Sequence, residues 1–175
     1  AFWAEGSAAW AARKAAVWFT LWPLTFVVAA AGDGMRERLA RAVGVAGVGA
    51  ALAGLVFWLG MASGAMSVAA WRDAILPVFA GARTAETAGQ FSSWYVNIGG
   101  ATIVRALGVF PDPHTLGAVL VLTLPFAVFA SRHAADPRVR RRWLVGITAI
   151  VVAALLTFSR SAYLGLMVGG AVMAI

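Results

Sequence analysis

The sequence predicts an all-α, polytopic membrane protein, and two observations carry this prediction: its composition and its long apolar stretches. Hydrophobic residues make up 62% of the 175 residues, charged residues make up 12%, and the mean hydropathy is +0.84. A soluble domain has about 25% charged residues, so this chain cannot cover itself with a polar surface. The apolar stretches are continuous rather than alternating, which favours helices over a membrane β-barrel.

The apolar stretches predict about five transmembrane helices in a single transmembrane domain fragment that covers residues 1–175. A span needs about 20 residues, and the fifth stretch is shorter than that. We therefore expect the last helix to be truncated, and both ends of the chain to be cut. The predicted spans are approximately 15–31, 42–64, 114–130, 143–159 and 162–175.

Composition also excludes several kinds of site. The chain has no cysteine and only two histidines and seven acidic residues, so no disulfide and no metal site are expected. We expect no other cofactor. The net charge of +7 would suggest a nucleic-acid partner in a soluble protein. Here arginines in cytoplasmic loops explain it better, and the eight tryptophans fit an aromatic belt at the membrane interface.

Basic residues assign a side to each loop. The short loops at 33–41 and 131–142 contain eight of the fourteen Lys and Arg residues, which places both loops in the cytoplasm by the positive-inside rule. The long polar segment at 67–113 then forms an outer loop, and the turn at 159–161 lies on the same outer side. Glycines in the second span, such as Gly44 and Gly54, indicate close helix packing.

Two arginines are the candidate binding residues, because this topology brings both to the outer interface. Arg105 ends the polar outer segment, and Arg160 lies between Ser159 and Ser161 in a turn flanked by apolar sequence. A guanidinium matches phosphate through a two-pronged hydrogen bond and keeps its charge. The pair therefore indicates a site for a lipid-linked phosphate or pyrophosphate.

Simpler roles stay open for each of these residues. An outer arginine can pair with a lipid head group or with a carboxylate, and the two serines can satisfy backbone groups at a helix junction. Asp112 precedes a proline and can cap a turn or a helix. His114 can start the third span without taking part in chemistry.

Two segments resemble the O-antigen ligase and polysaccharide polymerase superfamily. Residues 105–117 (RALGVFPDPHTLG) are similar to one motif of that family, and residues 156–162 (LTFSRSA) are similar to a second. A span, a basic cytoplasmic loop and another span separate the two motifs in the order that the family has. The resemblance covers the chain from about residue 42 onward.

This resemblance implies a GT-C-like glycosyltransferase of the bacterial inner (plasma) membrane that serves polysaccharide biosynthesis of the cell envelope. Such enzymes transfer a glycan from undecaprenyl-pyrophosphate to an acceptor hydroxyl at the outer face, without a metal. By the same resemblance, Arg105 and Arg160 would bind the pyrophosphate, with Ser159, Ser161, Asp112 and His114 in support. Membrane lipid and the lipid-linked glycan are then the expected partners.

The family's general base is a histidine on a later outer loop, which would lie beyond Ile175. We therefore expect no catalytic residue within this fragment, and no activity from the fragment alone. Two alternatives remain: part of a transporter or flippase, and a non-enzymatic membrane assembly subunit. Broken helices would favour a transporter, but the sequence has neither paired repeats nor a charge near the middle of a span.

Overall fold

Helices dominate the computed structural model, which describes residues 32–81 and 92–174 apart from the side chains of residues 92 and 172–174. The prediction of a mostly helical chain is confirmed. The predicted span at 15–31 lies outside the described residues. The helices are α1 (Asp33–Ala62), α2 (Val68–Ala70), α3 (Leu76–Ala80), α4 (Pro113–Arg132), α5 (Pro137–Leu156) and α6 (Arg160–Ala174).

Two of these helices, α1 and α4, are long and apolar enough to cross a membrane, as judged by length and composition. Helix α4 has 20 residues, or about 30 Å at 1.5 Å per residue, which is the thickness of a bilayer core. Helix α5 has the same length but begins in the basic segment, since Arg138 and the three arginines at 140–142 belong to its first turns.

Helix bounds differ from the expected loops at both basic segments. Helix α1 begins at Asp33, so residues 33–41 are helical. Helix α5 begins at Pro137, with the Asp136 carboxylate accepting the backbone N–H of Arg138. A carboxylate before a proline at the first helical position is a strong start signal. Only residues 133–136 therefore separate α4 from α5.

The segment expected as a long outer loop contains regular structure. A five-residue π-helical turn, Trp71–Ile75, joins α2 to α3, and a 3₁₀ turn, Ser92–Trp94, leads into a hairpin. Strands β1 (Tyr95–Ile98) and β2 (Ala101–Val104) pair antiparallel, with Tyr95 opposite Val104. Gly99 and Gly100 both have positive φ, as the two central residues of a tight hairpin turn require.

The chain divides into two compact units, residues 1–39 and 40–175. Within the second unit, α1, α4 and α5 share a core of small and aliphatic side chains, including Ala51, Leu120 and Ile150. A second cluster, around Trp71, Leu76 and Leu107, is formed mainly by residues of the segment between α1 and α4. The residues that follow β2 touch both clusters, because Ala106 belongs to the first and Leu107 to the second.

Candidate functional site

The two arginine-containing segments singled out in the sequence are in direct contact. The Arg105 Nε donates to the carbonyl of Thr157 over 2.6 Å, and its Nη2 donates to the carbonyl of Phe158 over 3.0 Å. Next to it, the Ala106 N–H donates to the Leu156 carbonyl over 2.9 Å. Carbonyls at a helix end have no partner within the helix. Arg105 and Ala106 therefore cap the C-terminus of α5.

The Arg105 side chain is buried, with 7% of the residue exposed. Its Nη1 donates to the Ser93 carbonyl over 2.8 Å, so three of the five guanidinium N–H groups have protein acceptors. Burial lowers the pKa of the Arg105 guanidinium, while Tyr163 and Asp112 oppose that shift. An arginine keeps its proton through such a change, and a cation at a helix C-terminus is favourable.

The turn between α5 and α6 is strained. Phe158 has φ +47°, a left-handed conformation that costs a residue other than glycine about 1–2 kcal/mol. This conformation lets the chain leave α5 at Leu156 and enter α6 at Arg160 within three residues. The two bonds from Arg105 to the carbonyls of Thr157 and Phe158 hold the strained turn in place.

Ser159 links this turn to the start of α4. It is fully buried, and its Oγ lies 2.9 Å from the His114 Nδ1 and 2.9 Å from the Ser161 Oγ. His114 is exposed on the first turn of α4. Gly117 lets the start of α4 lie close to α6, because a Cβ at this position would lie 3.0 Å from the Ala162 Cβ. The structure thus brings together three predicted site residues from two segments.

Asp112 takes a capping role. Its Oδ1 accepts the backbone N–H of Thr115 over 2.9 Å, one turn into α4. Such a cap satisfies one of the free N–H groups at a helix start and places negative charge at the positive end of the helix. The sequence leaves two roles open for Asp112, a cap and a support for pyrophosphate binding. The contacts in the structure are those of a cap.

Arg160 is the exposed arginine of the pair. It is the first residue of α6, and within the described part of the chain its guanidinium has neither a hydrogen bond nor an ion pair. The Ser159 hydroxyl, just before the helix, bonds to His114 and Ser161. A cation next to the positive end of a helix is unfavourable. A bound anion would relieve that repulsion, so this position suits phosphate.

Three tryptophans, which we name the tryptophan clamp, hold the segment that contains Arg105. The indole N–H groups of Trp58, Trp71 and Trp94 donate to the carbonyls of Val104, Gly108 and Pro111 over 2.9, 2.8 and 2.9 Å. Trp71 and Trp94 also meet edge to face, with ring centroids 5.4 Å apart. Both are buried, whereas the composition predicts tryptophans at a membrane interface.

The tryptophan clamp has no signature in the sequence. Its donors lie 46, 37 and 17 residues from their acceptors, and no spacing rule relates positions so far apart. One local signal was available at Gly108, which has φ +61° and would place a Cβ 3.3 Å from the backbone of Gly54. Such a glycine indicates a close approach of two backbones.

This arrangement can bind an anion, and the Ser159 hydroxyl within it is buried away from solvent. Across residues 32–81 and 92–174, no group of three or more His, Cys, Asp or Glu side chains is placed to hold a metal ion. In comparisons with known proteins, the chain matches no family model, no curated protein and no solved structure.

Proposed function

We propose that this chain is the donor-binding part of a membrane glycosyltransferase of the O-antigen ligase and polysaccharide polymerase type. In this proposal the protein is a multi-pass, GT-C-like enzyme of the bacterial plasma membrane, with about five spans in this part of its chain. It transfers a glycan from undecaprenyl-pyrophosphate to an acceptor hydroxyl at the outer face. The observation that supports the proposal most is the direct contact between residues 105–106 and 156–158.

The two arginines take different roles in this proposal. Arg160 contacts the phosphate directly, because its guanidinium is exposed and lies at the start of a helix. Arg105 acts mainly as a positioning residue, because three of its N–H groups bond to backbone carbonyls. A direct contact between Arg105 and pyrophosphate stays a prediction. The two remaining N–H groups of the Arg105 guanidinium could donate to it.

The proposed chemistry needs positive charge at the leaving group. The acceptor oxygen forms a bond to C1 of the donor sugar while the bond from C1 to the pyrophosphate oxygen breaks. Negative charge then grows on the pyrophosphate, and a fixed guanidinium there stabilises the transition state more than the ground state. In this proposal a general base takes the proton of the acceptor hydroxyl.

Substitution of Arg160 tests the proposal in the complete gene product. We expect Arg160→Gln to lower the turnover of a lipid-linked donor about 100-fold, the loss typical of one missing charge-stabilising donor. Arg160→Lys keeps the charge but loses the planar fork, so we expect an intermediate loss. The measurement is glycan transfer in isolated membranes, normalised to the amount of protein.

Arg72→Gln is the matched control. Arg72 pairs with the neighbouring Asp73 outside both motif segments, and the substitution removes the same charge. The proposal fails if Arg160→Gln transfers glycan at the wild-type rate while the protein stays in the membrane. It also fails if Arg72→Gln loses as much activity as Arg160→Gln.

A further inference from the structure

A small groove lies at the C-terminal end of α4, away from Arg105 and Arg160. It has a volume of about 210 Å³, with Arg41 and Asp136 as charged walls and Ala130, Val139 and Trp143 as its apolar surface. Sites for drug-sized molecules are larger, about 300–1,000 Å³. The groove therefore suits a head group or a similar small polar moiety next to apolar surface.

The lining of the groove has one charge of each sign, Arg41 and Asp136, but the adjacent segment is rich in arginine. The segment 131–142 contains five arginines against one acid, Asp136, and the arginines at 138 and 140–142 are exposed. Asp136 caps α5, because its Oδ1 accepts the Arg138 backbone N–H over 2.8 Å, and it is the single acid of this segment. Arg41 adds a further cation from α1. An anionic ligand complements this surface.

The position of the groove matches the depth of lipid head groups. Helix α4 has membrane-crossing length and ends at Arg132, two residues after Ala130. Trp143 packs against Gly44, since a Cβ at Gly44 would lie 3.0 Å from the indole Cζ3. Tryptophan and arginine together mark a membrane interface. Val139 and Trp143, one turn apart on α5, line the groove and offer apolar surface for an acyl chain.

We propose that this groove binds the phosphate of an anionic phospholipid. Arg41 and the arginines of the first turns of α5 attract the phosphate, and Val139 and Trp143 contact the acyl chain. Basic pockets between membrane helices are suited to anionic head groups. The apolar surface beside the cations favours a lipid over free phosphate. The site is independent of the glycan-transfer proposal, because it uses neither Arg105 nor Arg160.

Lipid binding to the purified full-length protein in a neutral detergent tests this site. The probes are phosphatidylglycerol, phosphatidylcholine with matched acyl chains, and inorganic phosphate, with bound lipid counted by native mass spectrometry. We expect phosphatidylglycerol to bind at least about tenfold more tightly than phosphatidylcholine, since several arginines contribute and each is worth about fivefold. We expect inorganic phosphate not to compete at millimolar concentration.

Two variants locate the site. We expect Arg41→Gln to weaken phosphatidylglycerol binding about fivefold. Ala135→Glu adds a negative charge at an exposed position that lines the groove, and we expect at least the same loss. Because this second variant alters no buried contact, it keeps the test valid if Arg41→Gln lowers the stability. Arg72→Gln, which lies outside the groove, is expected to bind phosphatidylglycerol as the wild type does.

Three results would overturn the proposal. Equal affinity for the two lipids would show that head-group charge is not recognised. If Ala135→Glu binds phosphatidylglycerol as tightly as the wild type does, the lipid binds outside this groove. Competition by inorganic phosphate would identify the ligand as a free anion. None of these results bears on Arg160, so the lipid site and the glycan-transfer proposal can fail separately.

Discussion

At the scale of single residues, one guanidinium does most to shape the candidate site. Arg105 donates to three backbone carbonyls that come from two separate segments, Ser93 on one side and Thr157 with Phe158 on the other. A buried carbonyl without a donor costs about 1–3 kcal/mol. Arg105 thus stabilises the strained turn at Phe158, which in turn places Ser159 and Arg160.

Replacement of Arg105 is therefore expected to lower stability as well as activity. For Arg105→Met we expect a loss on the order of 3 kcal/mol in the free energy of unfolding, because charge-assisted hydrogen bonds are lost and buried carbonyls are left without donors. Arg105→Lys should lose less, since one ammonium can still reach one carbonyl. The midpoint of thermal unfolding in detergent measures both.

The Arg72→Lys variant gives the comparison for Arg105→Lys, because Arg72 is bonded to Asp73 at the surface and exposed pairs contribute little. If Arg105→Met and the wild type unfold at the same temperature, the capping role is refuted. A loss of glycan transfer at unchanged stability would instead favour direct contact between Arg105 and the donor.

At the scale of helices, small residues determine how closely α1 packs in the second unit. The buried face of α1 presents Gly44, Gly47, Ala51 and Gly54. A Cβ at Gly47 would overlap Thr123 of α4, and one at Gly44 would lie 3.2 Å from the backbone of Ala127. Such contacts let two backbones approach, which stabilises helix pairs in membranes. The glycine pattern in the sequence predicts this packing.

Gly47→Ala is expected to destabilise the protein by about 1–3 kcal/mol, the usual cost of overpacking. The Thr123 side chain cannot easily move aside, because its Oγ1 donates to the Val119 carbonyl over 2.8 Å. Gly49→Ala is the matched control on the same helix, where an added Cβ meets nothing within 4 Å. There alanine should stabilise the helix by up to about 1 kcal/mol. Equal unfolding midpoints for the two variants would contradict the packing argument.

Some of the helices and strands can be predicted from the sequence, and others cannot. Apolar runs locate α1 and α4 because hydropathy depends only on local composition. Helices α1 and α5 begin earlier than the charge pattern predicts, because arginine is a good helix former. The hairpin Tyr95–Val104 has a sequence signal of its own, a Gly-Gly pair between β-branched residues, although polarity predicts an outer loop for this segment.

At the scale of the whole molecule, the candidate site depends on long-range contacts that no local pattern contains. The sequence predicts that Arg105 and residues 159–161 share one side of the membrane. It does not predict that Arg105 is buried under the α5 terminus, 52 residues away from its acceptor Thr157. The hydrogen bonds of the tryptophan clamp are also long-range and could not be predicted. Composition instead suggests an interfacial role for tryptophan.

The proposed orientation in the membrane yields a prediction about the two ends of α4. The hairpin before α4 and the short connection after it lie on opposite sides if α4 crosses the bilayer once, because its length matches one crossing. The positive-inside rule places the connection, with its arginines, in the cytoplasm. The hairpin residue Thr102 should then face the outside, and the exposed Ala135 should face the cytoplasm.

Single cysteines can test this orientation, because these 175 residues contain no cysteine of their own that would be labelled as well. In spheroplasts, a membrane-impermeant maleimide should label Thr102→Cys at once and Ala135→Cys only after the membrane is permeabilised. Equal labelling of both before permeabilisation would mean that α4 does not cross. The reverse pattern would place Arg105 and Arg160 in the cytoplasm, where a donor presented at the outer face cannot reach them, and it would rule out the proposed transfer reaction.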